Sequence, residues 1–292
     1  MEESSDNSTN DAQFIDDVFT STEKSLTDDE KQKLEEQNKR LIPEFKARQL
    51  EAQAQKHWDL FYKRNETRFF KDRRWTTREF QELIQDYPTL SSEQGNERRK
   101  LLEVGCGVGN FVFPLMEELE SLGQTNNYFY ACDFSPRAVE FVRSNPKYNE
   151  ERIKAFQCDI TTDTIHQNIP AESIDIISMI FVLSAISPDK FVDVITNLHT
   201  ILKQGGIVLF RDYGRYDMAQ LRFKSGHKIS ENFYMRQDGT RSYYFAEQEL
   251  SDLFRENGFE VITNSYVHRR TLNVKEGIDV PRIFLQGKFR KL

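Results

Sequence analysis

Gly105, Gly107 and Gly109 occupy alternate positions in EVGCGVGN, Glu103 to Asn110, directly after the apolar pair Leu101-Leu102. A glycine loop leaving a strand turns tightly and lets the backbone approach a ligand that any Cβ would push away. An acid at the tip of the next strand would then accept two hydrogen bonds from ribose hydroxyls. Asp133 has that place, 24 residues beyond Gly109 within YFYACDFS (Tyr128 to Ser135), with Phe134 beside it. The following strand-like segment, KAFQCDI (Lys154 to Ile160), again ends in an acid, Asp159, followed by Ile160. An acceptor there would face an adenine amino group. Two acids closing consecutive strands after such a loop point to a nucleoside cofactor.

The third glycine separates the cofactors. A dinucleotide fingerprint, G-x-G-x-x-G, needs glycine at 110, where this chain has Asn110, so a pyrophosphate seat is disfavoured. A G-x-G-x-G loop preceded by an acid is instead the arrangement of S-adenosylmethionine-dependent methyltransferases, in which Glu103 would serve the methionine end. A glycine-rich turn without a ligand is the plain alternative, and the paired acids weigh against it.

The elements that must position these residues follow from periodicity. Strands are predicted at 100–105, 128–133, 154–158, 174–181 and 206–212, with helices near 110–122, 136–144 and 189–203. Two later strands, 259–268 and 282–289, flank Pro281. Gly205-Gly206 is expected to stop the helix and turn it into a central strand, GIVLFRDY. This is an α/β doubly wound, mostly parallel sheet of seven strands. Ligands bind outside the carboxyl ends of such strands, so Gly105, Asp133, Asp159, Phe181 and Asp212 should converge on one crevice. Three regions result: a disordered acidic tail (1–26), a helical arm (27–99) and the sheet domain (100–292) with an insertion (214–245) lacking strong periodicity. Thr27 and Glu30 form a capping box opening the arm, and Pro43 breaks its helical run.

Charge and composition narrow the classes. Residues 1–40 carry 12 Asp/Glu against 5 Lys/Arg, which is the whole formal charge of −7; the other 252 residues hold 35 of each. The first 30 residues are too polar to offset the entropy of ordering. No apolar leader opens the chain, and its longest apolar run, Ile174 to Ile186, is too short for a bilayer. A soluble intracellular protein is expected, cytoplasmic and also nuclear, monomeric on its own and not attached to a membrane. Cys106, Cys132 and Cys158 lack metal or disulfide spacing and read as reduced packing residues. His57, His166, His199, His227 and His268 form no ligand-spaced cluster, so no metal is expected.

The substrate side is read from composition. Residues 56–78, KHWDLFYKRNETRFFKDRRWTTR, hold eight Lys/Arg, three acids and six aromatics. Cations meet phosphates and aromatic planes stack on unpaired bases, so Phe70, Lys71, Arg73 and Arg74 suit looped or single-stranded nucleic acid. An amphipathic helix docking by its aromatics explains the same composition. Both hold together if Trp58 and Tyr62, four apart and thus on one helix face, cover the cofactor. A second basic stretch, 269–291, begins with Arg269 and Arg270 and would extend a backbone-binding surface. In LFRDYG, Leu209 to Gly214, Arg211 and Asp212 are expected at the mouth of the crevice. The N-P-P-Y signature of exocyclic-amine methylation is replaced by FVLSAI, and no Cys-Pro pair offers a nucleophile for C5 methylation. A ring nitrogen with its own lone pair needs neither.

Together WDLFYKRN, FFKDRRWTTREF, EVGCGVGN, ACDFSPRAVE, FVLSA, LFRDYG and ENFYMRQDGTRSYYF resemble the methyltransferase-like enzymes that make N3-methylcytidine in the anticodon loop of transfer RNA. The resemblance runs from about Phe45 to Phe289. It implies a class I (Rossmann-like) fold, S-adenosylmethionine as cofactor, and contacts to it from Trp58, Tyr62, Gly105, Asp133, Asp159, Ile160 and Ile180. It implies cytidine 32 as target. Compact length and an acidic leader look like the serine transfer RNA branch, with seryl-tRNA synthetase an implied partner. Mechanism follows as an expectation: unprotonated cytosine N3 attacks the methyl directly once a flipped base is held in line. Asp212 would accept from the cytosine amine, Arg211 and Arg73 would anchor the nucleotide, and Phe70 would pack on it. Tyr213, Asn232 and Arg236 would line the entrance. A methyltransferase for another RNA or a small molecule, and a catalytically silent module of the same fold, remain as alternatives.

Overall fold

The computed structural model describes residues 17–85, 98–273 and 278–292. A short strand β1 (Val18–Thr20) precedes an arm of helices α1 (Asp28–Asn38), α2 (Glu44–Ala52), α3 (Ala54–Asn65) and α4 (Thr76–Glu79). The domain follows as β2 (Arg99–Val104), α5 (Val112–Ser121), β3 (Asn127–Asp133), α6 (Pro136–Arg143), β4 (Ile153–Gln157), β5 (Ile174–Ile180), α7 (Phe191–Ile201) and β6 (Leu202–Tyr213). Next come α8 (Met218–Leu221), β7 (Lys228–Ser230), β8 (Phe233–Met235), β9 (Arg241–Tyr243), α9 (Glu247–Glu256), β10 (Phe259–Asn273) and β11 (Ile278–Lys291).

Local chemistry sets the boundaries. Thr27 and Glu30 form the expected capping box at α1, and Pro43 stands as N-cap of α2. Ser135 accepts from the Ala138 N–H and Pro136 opens α6, where its missing N–H costs nothing. One boundary differs from expectation. Helix α7 ends at Ile201 and Gly205-Gly206 lie inside β6, where a Cβ on Gly206 would sit 3.0 Å from the Asp175 carbonyl of β5. Close strand approach, rather than a helix stop, is what that glycine serves.

The main sheet runs β1-β10-β11-β6-β5-β2-β3-β4. Strands β4, β3, β2, β5 and β6 are parallel, and β11, β10 and β1 add antiparallel to β6. Every residue of β5 is buried, as a central parallel strand covered by helices on both faces must be. One apolar layer packs α7 and α9 on the sheet through Leu198, Leu250 and Phe254; the other packs α5 and the arm through Leu115, Phe80 and Leu83. Sheet parity divides β6 between them. Ile207 and Leu209 face the arm side, Val208 and Phe210 the α9 side.

Two expectations are corrected here. The sheet has eight strands, because Val18–Thr20 pairs antiparallel with Tyr266–His268. The disordered tail expected over 1–26 therefore does not extend through 17–26, and residues 1–16 lie outside the described residues. The side chain of Asp17 is almost fully buried and pairs with Arg211 at 2.8 Å, while Glu23 pairs with Arg215 and accepts from the Tyr266 hydroxyl. These pairs fix the segment although its composition alone would not. The insertion is not irregular either: it forms α8 and a three-stranded sheet, β7-β8-β9. Gln37 of α1 docks it, donating to the Gln220 carbonyl at 2.9 Å and accepting from the Tyr234 hydroxyl at 3.0 Å.

Candidate cofactor and substrate site

A cavity of about 300 Å³ lies at the carboxyl ends of β2, β3 and β4. Trp58 and Tyr62 roof it from one face of α3, and Gly105, Asp133, Asp159 and Ile160 line it. Helix α3 is held there from below. Asp59 accepts from the Ser135 hydroxyl at 2.5 Å and the Arg137 N–H at 3.3 Å, so a carboxylate sits at the N-terminus of α6, where the helix dipole favours it. Gln55 adds a bond to the Phe134 carbonyl at 3.0 Å.

The glycine loop is tight as built. Gly105 has φ +64°, and a Cβ there would come within 2.5 Å of Val182; a Cβ on Gly107, φ +54°, would lie 3.0 Å from the Tyr62 hydroxyl. Asp133 steadies the loop by accepting from the Gly107 N–H at 2.9 Å and from the Ser135 N–H at 2.9 Å. Burial pushes its carboxyl up to about 6 despite those donors. Asp159 accepts from the Thr161 N–H and hydroxyl on one oxygen. Each Asp133 oxygen, with one donor, keeps a lone pair for a ligand, and Trp58, Ile160 and Val182 supply apolar walls. That set of acceptors and walls fits a ribose and a purine. At the rim, Glu51 receives Lys190 and Arg241; burial alone would raise its pKa, but these two cations hold it below the ordinary value.

A second, larger cavity of about 850 Å³ adjoins the first, sharing Trp58, Tyr62, Gly105, Phe181 and Ala185. Arg73 is its central cation. Its guanidinium donates to the Ile180 carbonyl at 2.9 Å and lies 5.7 Å from the Phe181 ring, while its backbone N–H reaches Asn110 at 2.8 Å. Phe181 takes φ +59°, a left-handed conformation unusual without glycine, and so turns its ring between the two cavities. Tyr213 packs on it at 5.1 Å, with Arg236 and Arg282 over the Tyr213 ring at 5.3 and 5.9 Å. Glu103 lines the same cavity. Burial pushes it up to about 8, with Arg73 pulling the other way.

The sequence candidates divide accordingly. Trp58, Tyr62, Gly105, Asp133, Phe134, Asp159 and Ile160 line the smaller cavity; Phe70, Arg73, Glu103, Gly107, Tyr213 and Arg236 line the larger one. Ile180 is buried behind the wall and contributes through its carbonyl. Arg211 is a correction: it shares the parity of Leu209, is 1 % exposed, and lies between Trp75 at 4.6 Å and Phe284 at 5.1 Å with Asp17 and Gln286 as partners. It anchors no nucleotide in this arrangement. Asp212, fully buried, also lines neither cavity; its oxygens accept from the Ser184 and Tyr213 N–H groups at 2.9 Å, fixing two residues that do. Asn232 is buried with φ +57° and accepts from Gln220, a structural turn rather than an entrance. Lys71 and Arg74 are exposed outside both cavities, Arg74 paired with Glu117, and Arg269 and Arg270 lie on β10 away from them, Arg269 beside Asp17.

Sequence reasoning missed Val182, Cys132 and Cys158 in the cofactor cavity and Arg282 and Tyr244 in the substrate cavity. The cysteines had a signal, since each directly precedes a strand-end acid. The Cys158 thiol and burial hold the Cys132 thiol far above the ordinary range. Among the described residues no cluster of His, Cys, Asp or Glu is placed to hold a metal ion, and no helix is long and apolar enough to cross a membrane.

Residues 72–264 match the family described as a methyltransferase domain. A SAM-dependent methyltransferase structure from Anabaena variabilis superposes with a TM-score of 0.54 at 13% identity, covering 81% of this chain and 94% of that one. The fold and site define a class I S-adenosylmethionine-dependent methyltransferase. Curated relatives sharpen this. The chain is 53% identical over 266 residues to the human tRNA N(3)-cytidine methyltransferase METTL6, covering 91% of this chain and 90% of that protein. It is 40% identical to METTL2 of Danio rerio, over 88% and 79% of the two chains, and 41% identical to trm140 of Schizosaccharomyces pombe, over 81% and 74%. This chain belongs to the tRNA N(3)-cytidine methyltransferase family.

Proposed function

We infer that this protein methylates N3 of cytidine 32 in the anticodon loop of serine transfer RNA, with seryl-tRNA synthetase presenting the substrate. The observation that carries the reading is the larger cavity, whose aromatic and guanidinium walls abut the glycine loop through Phe181. S-adenosylmethionine, bound at the loop, supplies an electrophilic methyl group.

The chain's own part is positioning. Cytosine N3 carries an in-plane lone pair at neutral pH, so a base held in line needs no strong general base. Phe70, Phe181 and Tyr213 offer faces for a flipped pyrimidine, and Arg73 and Arg236 offer donors for its carbonyl or phosphate. Methylation leaves the ring cationic, and aromatic faces favour a cation over a neutral ring. Trp58 and Tyr62 exclude water from above. Asp212 acts one step removed, by holding Ser184 and Tyr213.

The serine reading draws on higher identity to METTL6 than to METTL2, 53% against 40%. The synthetase reading draws on charge: beyond residue 40 the acids and bases balance at 35 each, a weak field for gripping a whole transfer RNA. Nucleoside mass spectrometry on transfer RNA incubated with protein and cofactor, with and without the synthetase, tests both. N3-methylcytidine mapped to position 32 of serine transfer RNA and enhanced by the synthetase is expected. Its appearance on other transfer RNAs, or indifference to the synthetase, overturns the corresponding part.

A further inference from the structure

The substrate cavity does not end at Tyr213. A groove of about 530 Å³ continues from it, and the two share Ala219, Phe223, Gln237 and Arg282 as walls. Phe223 is thus a ridge with the target cavity on one side and the groove on the other. Its ring is fixed by a parallel stack on Tyr234 at 4.7 Å and 9°, and Tyr234 is itself locked to Gln37 of the arm. His227 lies beside it, 6.1 Å away, donating through Nδ1 to the Met235 carbonyl at 2.9 Å.

Charge completes the description. The groove's described walls include Arg222, Lys224 and Arg282 and no carboxylate. Arg282 is neutralised by Asp217 at 2.9 Å. Arg222 and Lys224 are exposed, and among the described residues neither has a carboxylate partner. Two uncompensated cations beside a rigid aromatic ridge match a nucleotide: a base face for stacking and a phosphate for the charges. Covalent linkage supplies the occupant. A cytidine flipped into the cavity carries its neighbour with it, and that neighbour must leave across a wall.

We propose that the groove is a subsite for the nucleotide adjoining the target cytidine, with its base on Phe223 and its phosphate at Arg222 and Lys224. The proposal rests on the reading of the larger cavity as the cytidine site. It assigns Phe223 the task of separating the target base from its neighbour, whichever base that neighbour carries, since every base offers a face for stacking.

The test uses the full chain and anticodon stem-loop RNAs carrying 2-aminopurine on either side of the target cytidine. Wild type should quench the probe at one flank, and Phe223→Leu should abolish that quenching and raise KM roughly five- to hundredfold, the range of aromatic–base stacking. Arg222→Ala with Lys224→Ala, both exposed and safe for folding, should raise KM while leaving kcat and S-adenosylmethionine affinity within about twofold. The log–log salt slope of RNA binding should flatten by about 1.4, two contacts at roughly 0.7 each. Unchanged KM and salt slope in the double variant, with wild type active, overturns the subsite. Loss confined to synthetase-stimulated turnover would assign the groove to a protein partner and also overturn it. A wild type that methylates no cytidine refutes the functional reading itself, and the subsite falls with it.

Discussion

Gly105→Ala should weaken cofactor binding sharply without unfolding the protein. The new Cβ would lie 2.5 Å from Val182 Cγ2 and 3.2 Å from Cγ1. Ordinary carbon contact is about 3.5 Å, so Val182 must retreat by about 1 Å. Leu183 behind it is fully buried and close-packed, leaving the cofactor cavity as the open direction. A branched side chain pushed into a cavity of about 300 Å³ removes space that a ligand needs. A loss of roughly a hundredfold in affinity is expected, the scale on which a 1 Å misplacement acts. The left-handed φ of +64° adds about 1 kcal/mol of strain. Gly123→Ala separates the two effects, because Gly123 has φ +73° and nothing within 4 Å of its would-be Cβ. It should lower stability by about the same 1 kcal/mol and leave binding untouched. Calorimetric titration with S-adenosylmethionine reads the first effect and thermal melting the second. Adding Val182→Ala to Gly105→Ala should restore much of the affinity. Binding within about twofold of wild type in the single Gly105→Ala variant would refute the steric argument.

Further outcomes follow from buried charge. Asp17→Ala strands the Arg211 guanidinium, and breaking a buried pair costs about 3–5 kcal/mol. For 292 residues at roughly 2.1 cal/mol/K each, the unfolding entropy is near 0.6 kcal/mol/K, so Tm should fall by about 5–8 °C. A fall under about 2 °C would show the pair to be idle. Glu103→Gln tests the acid held near pKa 8 by burial. The folded carboxyl keeps its proton to about pH 8 while the unfolded one releases it above 4.5, so wild type loses stability as pH rises between those values. The variant's stability relative to wild type should therefore grow between pH 5 and 8 in denaturant titrations; a flat difference contradicts the assignment. Asp212→Asn turns an NH2 toward one of two backbone donors and should cost about 1–3 kcal/mol while raising KM for transfer RNA through Tyr213 and Ser184. A variant with normal KM and stability but kcat reduced more than about a hundredfold would instead put that carboxylate on the reacting base.

What the sequence disclosed was local. The glycine loop, Asp133 and Asp159 could be read because each follows its own strand within a few residues, and Trp58 and Tyr62 because helical spacing alone puts them on one face. The capping box at Thr27 is likewise a matter of three consecutive positions. Arg211 was misplaced although the means to place it were present: it and Asp212 are adjacent in a strand, so their side chains must take opposite faces, and only one can approach the crevice side. Asp17 could not have been anticipated, because its partner lies 194 residues away and the strand it introduces is three residues long. Phe223 and Arg222 join Arg282 of β11 at the substrate side only after the insertion folds against α1, a contact that no short-range pattern encodes. Asn232 drew attention as a polar residue in a functional loop, and its positive φ explains its type without ligand contact.

Strand order carries a consequence for how the protein is made. Strand β6 lies at the junction of the parallel and antiparallel halves, and its partner on the outer side is β11, the last strand in chain order. During synthesis β6 must wait, with one row of backbone groups unpaired, until the insertion, α9, β10 and β11 itself have emerged. Strand β6 contains the apolar run Ile207–Phe210, all buried in the finished fold. A bare apolar edge invites pairing with other chains, so the nascent protein passes through an aggregation-prone stage that its folded form conceals. Substitutions in β11 should accordingly reduce soluble yield out of proportion to their effect on the stability of molecules that do fold.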